Sequence, residues 1–343
     1  MNKVKRVKIV SLSSGSIGES YAKFEVDIGL KRLEEFGLDI TFAKNARAGK
    51  KYLNEHPEKR ADDLIEAFSD KETDMILCAI GGDDTYRLTP YLLDNDRLKN
   101  VLCDKIFLGF SDTTINHFLL HKLGLNTFYG QSFLADLCEM EPEMLPYSEK
   151  YFKELIHTGT IGMITPSDLW YEERESFLPE DVGTKRKAHK NGGFELLNGS
   201  PVFSGKILGG CIESMLDMFD PGRYTDMPTV CERYGLFPDV DGWRGKILLL
   251  ESSEETPHPQ VYERAVSILK SKGVFSVISG IIMGKPMNDM YHEEYKTIIK
   301  NAVQGTDVSV LANVSIGHAA PRCIIPFGVD AKIDADKQII TFG

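Results

Sequence analysis

The chain alternates short apolar runs with longer amphipathic stretches. Positions 7–12, 38–42, 74–80 and 106–110 read as strands, the first buried and the third fully apolar. Positions 19–36 read as a helix, with Val26, Leu30 and Leu33 on one face and Gly37 as its stop. Ala61, Leu64, Ile65 and Phe68 mark a second amphipathic helix. A third is expected at 85–93, where Pro90 disturbs it. Ile115, Phe118, Leu119 and Leu123 set a fourth directly behind the strand at 106–110, with Gly124 at its C-terminal cap. Strands alternating with helices predict an α/β fold: βαβ units and a parallel sheet with helices on both faces.

From about 135 to 200 the periodicity is poor. The tract holds Pro142, Pro146, Pro166 and Pro179, an acidic run at 172–175, a basic run at 185–187 and Asn191-Gly192-Gly193. It reads as a connection with long surface loops, and such loops in a compact protein are often functional. Apolar patterning resumes near 201. Strands are expected at 205–208, ending in Gly209-Gly210, and at 245–250, 280–283 and 309–314. Helices are expected at 211–219, 260–272 and 293–303, and a hairpin at 331–333 and 338–342 closes the chain.

A length of 343 residues accommodates two domains. The formal charge of −11 and a pI near 5.3 argue against a nucleic-acid partner, which normally needs a basic surface. No two of the six cysteines form a C-x-x-C pair, so free thiols in a reducing compartment are expected. The N-terminal apolar run is too short for a signal peptide, and no apolar segment is long enough to span a bilayer. A cytoplasmic location, with no membrane partner, is expected.

The chemistry gathers at strand ends. Ser111 stands in Gly109-Phe110-Ser111-Asp112, between a strand and a helix. That is the setting of a nucleophile elbow, which exposes the hydroxyl near the positive end of the helix. Gly-x-Ser-Asp also serves as an ordinary turn and N-cap, and Thr113 replaces the second glycine of the full hydrolase motif. A serine nucleophile needs a base and an orienting carboxylate. His117 and His121 lie on the helix behind Ser111 and read as packed or solvated. His56, His157, His189 and His292 sit in polar surface contexts, and His258 lies between two prolines. His318 follows a strand and a glycine in a turn of small residues, a setting that on its own more often holds a structural histidine. Glu251 closes the apolar run 247–250, where an unpartnered buried charge is costly; facing water is its bland alternative. Gly81-Gly82 ends another strand, so Ser111 and this pair are expected to face one crevice.

Taken together, GFSDTT at 109–114, AIGGDD at 79–84, ILGGC at 207–211, ILLLE at 247–251 and GHAAPRCIIPFGVDAKID at 317–334 resemble the LD-carboxypeptidase family of serine peptidases, which includes the microcin self-immunity (MccF-like) branch. The resemblance covers nearly the whole chain, in order. It implies a flavodoxin-like parallel-sheet N-terminal domain and a smaller C-terminal α/β domain. On that basis 1–150 would carry the nucleophile, 151–200 the connection and substrate loop, and 201–343 the other two catalytic residues. The implied triad is Ser111, Glu251 and His318. The implied oxyanion donors are the amides of Gly82 and Asp112, with Gly81 beside the substrate. No metal or organic cofactor is carried over, and a homodimer is implied.

Two substrate classes follow from the resemblance. True LD-carboxypeptidases remove the terminal D-alanine of muropeptide tetrapeptides. MccF-like members cleave the amide that joins an aminoacyl group to a modified nucleotide, and an aromatic residue on a longer mid-chain loop stacks on the base. Here that stretch contains Trp170, which favours the second class unless the indole merely packs its own loop. Lys185-Arg186-Lys187 reads as a solvated turn or as a phosphate contact. No G-x-G-x-x-G follows the first strand and no H-E-x-x-H is present, which argues against a dinucleotide oxidoreductase and a zinc site. A non-enzymatic two-lobed binding protein for a small ligand is the alternative from another class.

Overall fold

The computed structural model describes residues 3–343. Its strands are β1 (Arg6–Val10), β2 (Asp39–Phe42), β3 (Met75–Cys78), β4 (Ile106–Gly109) and β5 (Thr127–Tyr129). Then come β6 (Met163–Ile164), β7 (Leu169–Tyr171), β8 (Ala188–Lys190), β9 (Glu195–Asn198) and β10 (Val202–Cys211). β11 (Ile247–Glu251), β12 (Gly280–Gly284), β13 (Ser309–Val314), β14 (Ile325–Phe327), β15 (Asp330–Asp334) and β16 (Ile339–Phe342) complete the set.

β1 to β5 form a parallel sheet in the order 2-1-3-4-5, the flavodoxin-like arrangement. Every residue of β3 is buried, as expected of a strand covered on both faces. The first sheet also takes an edge strand from far along the chain, because β14 pairs antiparallel with β5. The second sheet runs β6-β16-β15-β10-β11-β12-β13-β9, with β10 to β13 parallel and the remaining pairs antiparallel. β7 and β8 form a separate hairpin.

The 135–200 tract is more ordered than its sequence suggests. Residues Pro146–Thr158 form a helix, with Pro146 in the first turn and Gly159 in the left-handed conformation at its end. A proline there gives up an N–H that the helix could not use. Tyr151, Phe152, Leu155 and Ile156 are buried by it. The expected boundary at 150 falls inside this helix. Part of the tract also pairs into the second sheet as β6 and β9.

The strand expected to stop before Gly209-Gly210 instead runs through both glycines to Cys211. Gly210 has φ +135, and a Cβ there would collide with the side chain of Thr114. This close approach lets the helix Thr114–Lys122, which follows Ser111, lie against β10 of the second sheet. No helix among the described residues is long and apolar enough to cross a membrane. Among the cysteines, which are all free, Cys103 is exposed and the others are buried.

Candidate active site

Ser111 sits two residues beyond β4, at φ +66. That left-handed conformation is costly for a serine and persists only where its surroundings fix it. Two contacts do so. Its N–H donates to the Tyr129 hydroxyl at 3.2 Å, and the Thr113 hydroxyl donates to the Phe110 carbonyl at 2.8 Å. The loop after β3 passes so close that a Cβ on Gly81 would stand 2.6 Å from both Cβ and Oγ of Ser111. Only glycine allows that approach.

The loop 315–324 after β13 brings His318 to the serine. Its Nε2 lies 3.0 Å from Ser111 Oγ, and its Nδ1 lies 2.7 Å from Glu251 Oε2. Glu251 ends β11 and is almost fully buried. Its other oxygen accepts from the Tyr129 hydroxyl at 2.6 Å, and the His318 N–H donates to Oε2 at 3.2 Å. The buried carboxylate therefore has the partners its position requires. Arg322 holds the loop by donating to the His318 carbonyl at 3.1 Å and to Asp136 at 3.2 Å.

A second carboxylate reaches the imidazole: Glu254 Oε2 lies 3.1 Å from Nε2, on the side where Ser111 also bonds. Burial acts to lower the His318 pKa, but Glu251 and Glu254 outweigh it and push it up to about 10. The hydrogen bond from His318 holds Glu254 down at about 2.

The Asp112 side chain fixes the neighbouring loop. It accepts from the Ser13 hydroxyl at 2.6 Å and from the Thr85 N–H at 2.9 Å. Burial pushes its pKa up to about 6 against these two donors. Asp84 is tied down in turn by the buried Arg60, at 2.5 and 2.9 Å. The amides of Gly82 and Asp112 thus belong to two segments that one carboxylate clamps together.

Two cavities meet at Ser111, sharing Ser14, Gly82 and Glu254. The smaller, about 360 Å³, is polar and includes Asp83, Glu213, Arg223, Ser253 and Glu255. The larger, about 670 Å³, is walled by Phe110, Leu134, Met140, Phe177 and Met287, and contains Gly81 and His318.

The structure thus brings Ser111, Glu251, His318, Gly81, Gly82 and Asp112 together. It does not bring Trp170 to either cavity. The Trp170 indole stacks on His189, with centroids 4.3 Å apart, and Lys285 Nζ lies 5.0 Å from its ring. Arg186 is not solvated as the basic run suggested: its side chain is 6% exposed and pairs with Glu139 at 2.7 Å and Glu173 at 2.6 Å. His292 is buried rather than at the surface and bonds Asp289 at 2.8 Å. Tyr129, Glu254 and Ser13 escaped the sequence reading. Each acts across a long sequence separation, and no local pattern marks it.

Residues 7–130 match the LD-carboxypeptidase N-terminal domain, and residues 204–333 match the LD-carboxypeptidase C-terminal domain. A solved MccF-like protein from Streptococcus pneumoniae, in complex with AMP, is 55% identical. It aligns over 99% of both chains with a TM-score of 0.98. The microcin C7 self-immunity protein MccF of Escherichia coli is 26% identical over 91% of this chain and 86% of its own length. A Bacillus subtilis protein named putative carboxypeptidase YocD is 26% identical over 98% of this chain and 95% of its own.

Proposed function

The chain belongs to the LD-carboxypeptidase family of serine-type hydrolases, and we propose that it cleaves an amide bond through Ser111, His318 and Glu251. The observation that carries this reading is the hydrogen-bond chain from Ser111 Oγ through the imidazole to the buried Glu251. Ser111 attacks the carbonyl carbon while His318 Nε2 takes its proton. Glu251 accepts from Nδ1–H, which fixes the tautomer and stabilises the imidazolium. The amides of Gly82 and Asp112 receive the developing oxyanion. His318 then returns the proton to the leaving nitrogen, an acyl-serine remains, and water activated by the same histidine releases the acid. In the free protein Glu254 also holds Nε2, so substrate has to displace that contact before His318 acts as a base.

The leaving group must meet His318, and His318 lines the larger cavity only. The amine component therefore occupies the apolar cavity and the acyl component the polar one. We take the substrate to be an aminoacyl- or peptidyl-nucleotide amide, as for MccF-like proteins; the AMP complex of the Streptococcus pneumoniae relative supports that choice. The second reading, release of terminal D-alanine from a muropeptide tetrapeptide, uses the same three residues and is favoured by the relative named as a carboxypeptidase. A homodimer and a cytoplasmic setting complete the reading, the first tested by sedimentation and the second by fractionation.

The deciding experiment compares wild type with Ser111→Ala on an aspartyl sulfamoyl-adenosine amide and on a tetrapeptide ending in D-alanine. Aspartate release by wild type only is the expected result. D-alanine release instead would keep the mechanism and replace the substrate. Equal activity of Ser111→Ala would refute the nucleophile. A covalent serine probe that fails to label Ser111 would favour the small-ligand binding protein.

A further inference from the structure

One buried acidic group in the larger cavity has no use in the chemistry above. Glu25 lies in the first turn of the helix Lys23–Glu35, is 8% exposed and lines that cavity. Among the described residues it makes no hydrogen bond and no ion pair. The arginines that line the same cavity are engaged elsewhere, Arg322 with Asp136 and the His318 carbonyl. Arg174 and Arg186 both bond Glu139, and Arg32 donates to the carbonyls of Leu137, Glu139 and Glu141. Burial first, and then the charge of Glu139, push the Glu25 pKa up to about 7. A helix N-terminus favours an acidic residue, but an exposed one serves as well. Burying a carboxyl without a partner is destabilising, so its position asks for a ligand that supplies the missing donor.

The cavity indicates what kind of ligand. Its walls are apolar and partly aromatic, with Phe110, Phe177, Met140 and Met287 around the space. Such walls suit a flat ring, and a volume near 670 Å³ lies within the range of small-molecule sites. A ring carrying an amino group would bury its faces against these side chains and give its N–H to the carboxyl. A leaving group that ends in a carboxylate, such as D-alanine, would instead meet a like charge. Resting on the reading that the leaving group occupies this cavity, we propose that Glu25 is its specificity-determining residue, accepting a hydrogen bond from the exocyclic amino group of a nucleobase.

The test uses titration calorimetry with two probes, AMP and purine riboside 5′-monophosphate, which differ only in the amino group. Wild type should bind AMP more tightly by roughly tenfold or more, the usual effect of a hydrogen bond to a charged group. Glu25→Ala should erase that preference. Glu25→Gln, which keeps an accepting oxygen, should retain part of it. Glu25→Leu should unfold at a higher temperature than wild type, since it removes an unpartnered buried carboxyl; a purely structural Glu25 would give the opposite shift. Equal binding of the two probes by wild type, a preference that survives Glu25→Ala, or no binding of either probe would each overturn the assignment. Hydrolysis of the aspartyl sulfamoyl-adenosine amide, followed in parallel, separates the two levels. If it persists while base preference ignores Glu25, the inference falls and the hydrolase reading stands.

Discussion

His117 and His318 are both buried, yet their surroundings drive them in opposite directions. His117 lies between the Thr127 hydroxyl, 2.7 Å from Nδ1, and the Gly109 carbonyl, 3.1 Å from Nε2. The rings of Phe107, Tyr129 and Phe327 enclose it. Among the described residues no carboxylate hydrogen-bonds it, and burial lowers its pKa to about 3. His318 is nearly as deeply placed but sits between Glu251 and Glu254, and its pKa rises to about 10. Burial alone therefore yields a neutral packing histidine. Burial beside carboxylates yields one whose charged form is favoured. His117 steadies the end of β4, two residues before the serine, and the proposed chemistry falls to the other ring.

The contrast is sharpest in mutants. Ser111→Ala or His318→Ala should lower amide hydrolysis by on the order of a thousandfold or more, because members of a nucleophile–base pair fail together. His117→Leu should leave the turnover of folded protein near wild type, while costing about 1–3 kcal/mol of stability for the polar groups left unpaired. Kinetics beside thermal denaturation separate the two; a folded His117→Leu without activity would break the comparison.

Glu251→Gln should come next, with turnover reduced on the order of a thousandfold, because an amide neither enforces the tautomer nor stabilises the imidazolium. Tyr129→Phe should act more gently. Glu251 Oε1 and the Ser111 N–H both lose their partner, so a fall in kcat of roughly tenfold is expected, with about 1–3 kcal/mol of stability lost. Unchanged kcat and melting temperature would remove Tyr129 from the site.

Glu254→Gln should have the smallest effect on maximal rate and the clearest effect on pH. As the proposed base, His318 works unprotonated, so kcat/KM should rise with pH as it loses its proton. Removing the Glu254 charge lowers the His318 pKa, and the rising limb moves to lower pH. The same contact bears on stability. A His pKa raised from 6.5 to about 10 contributes stability that is complete below 6.5 and lost as pH rises through about 10. The melting temperature of wild type should accordingly drop more than that of Glu254→Gln across this interval. Superimposable profiles would exclude Glu254 as a partner of the imidazole.

Much of this site was legible in the sequence because its parts are local. An apolar strand followed by Gly-Phe-Ser-Asp and an amphipathic helix specifies the turn at Ser111. A carboxylate closing ILLLE, and a histidine after a strand and a glycine, mark two more strand ends. What stayed hidden depends on distance or on ambiguous residue types. Tyr129 reaches Glu251 from another strand, and Glu254, three residues past Glu251, meets His318 from a distant part of the chain. Pro146 looks like a breaker but opens a helix. Gly209-Gly210 looks like a strand stop, yet these glycines continue β10 where another segment comes too close for a side chain. Trp170, an obvious aromatic candidate, packs on His189 outside both cavities.

The pairing of β14 with β5 has a mechanical consequence. The loop 315–324 leaves β13 in the second sheet and ends in β14 at the edge of the first. His318 therefore rides on a short tether whose two anchors belong to different sheets. Ser111, the proposed nucleophile, is rooted in one sheet and Glu251 in the other. A shear that moved them apart would also pull on both ends of the segment carrying the base, so the imidazole spans the gap it depends on and helps to set its width.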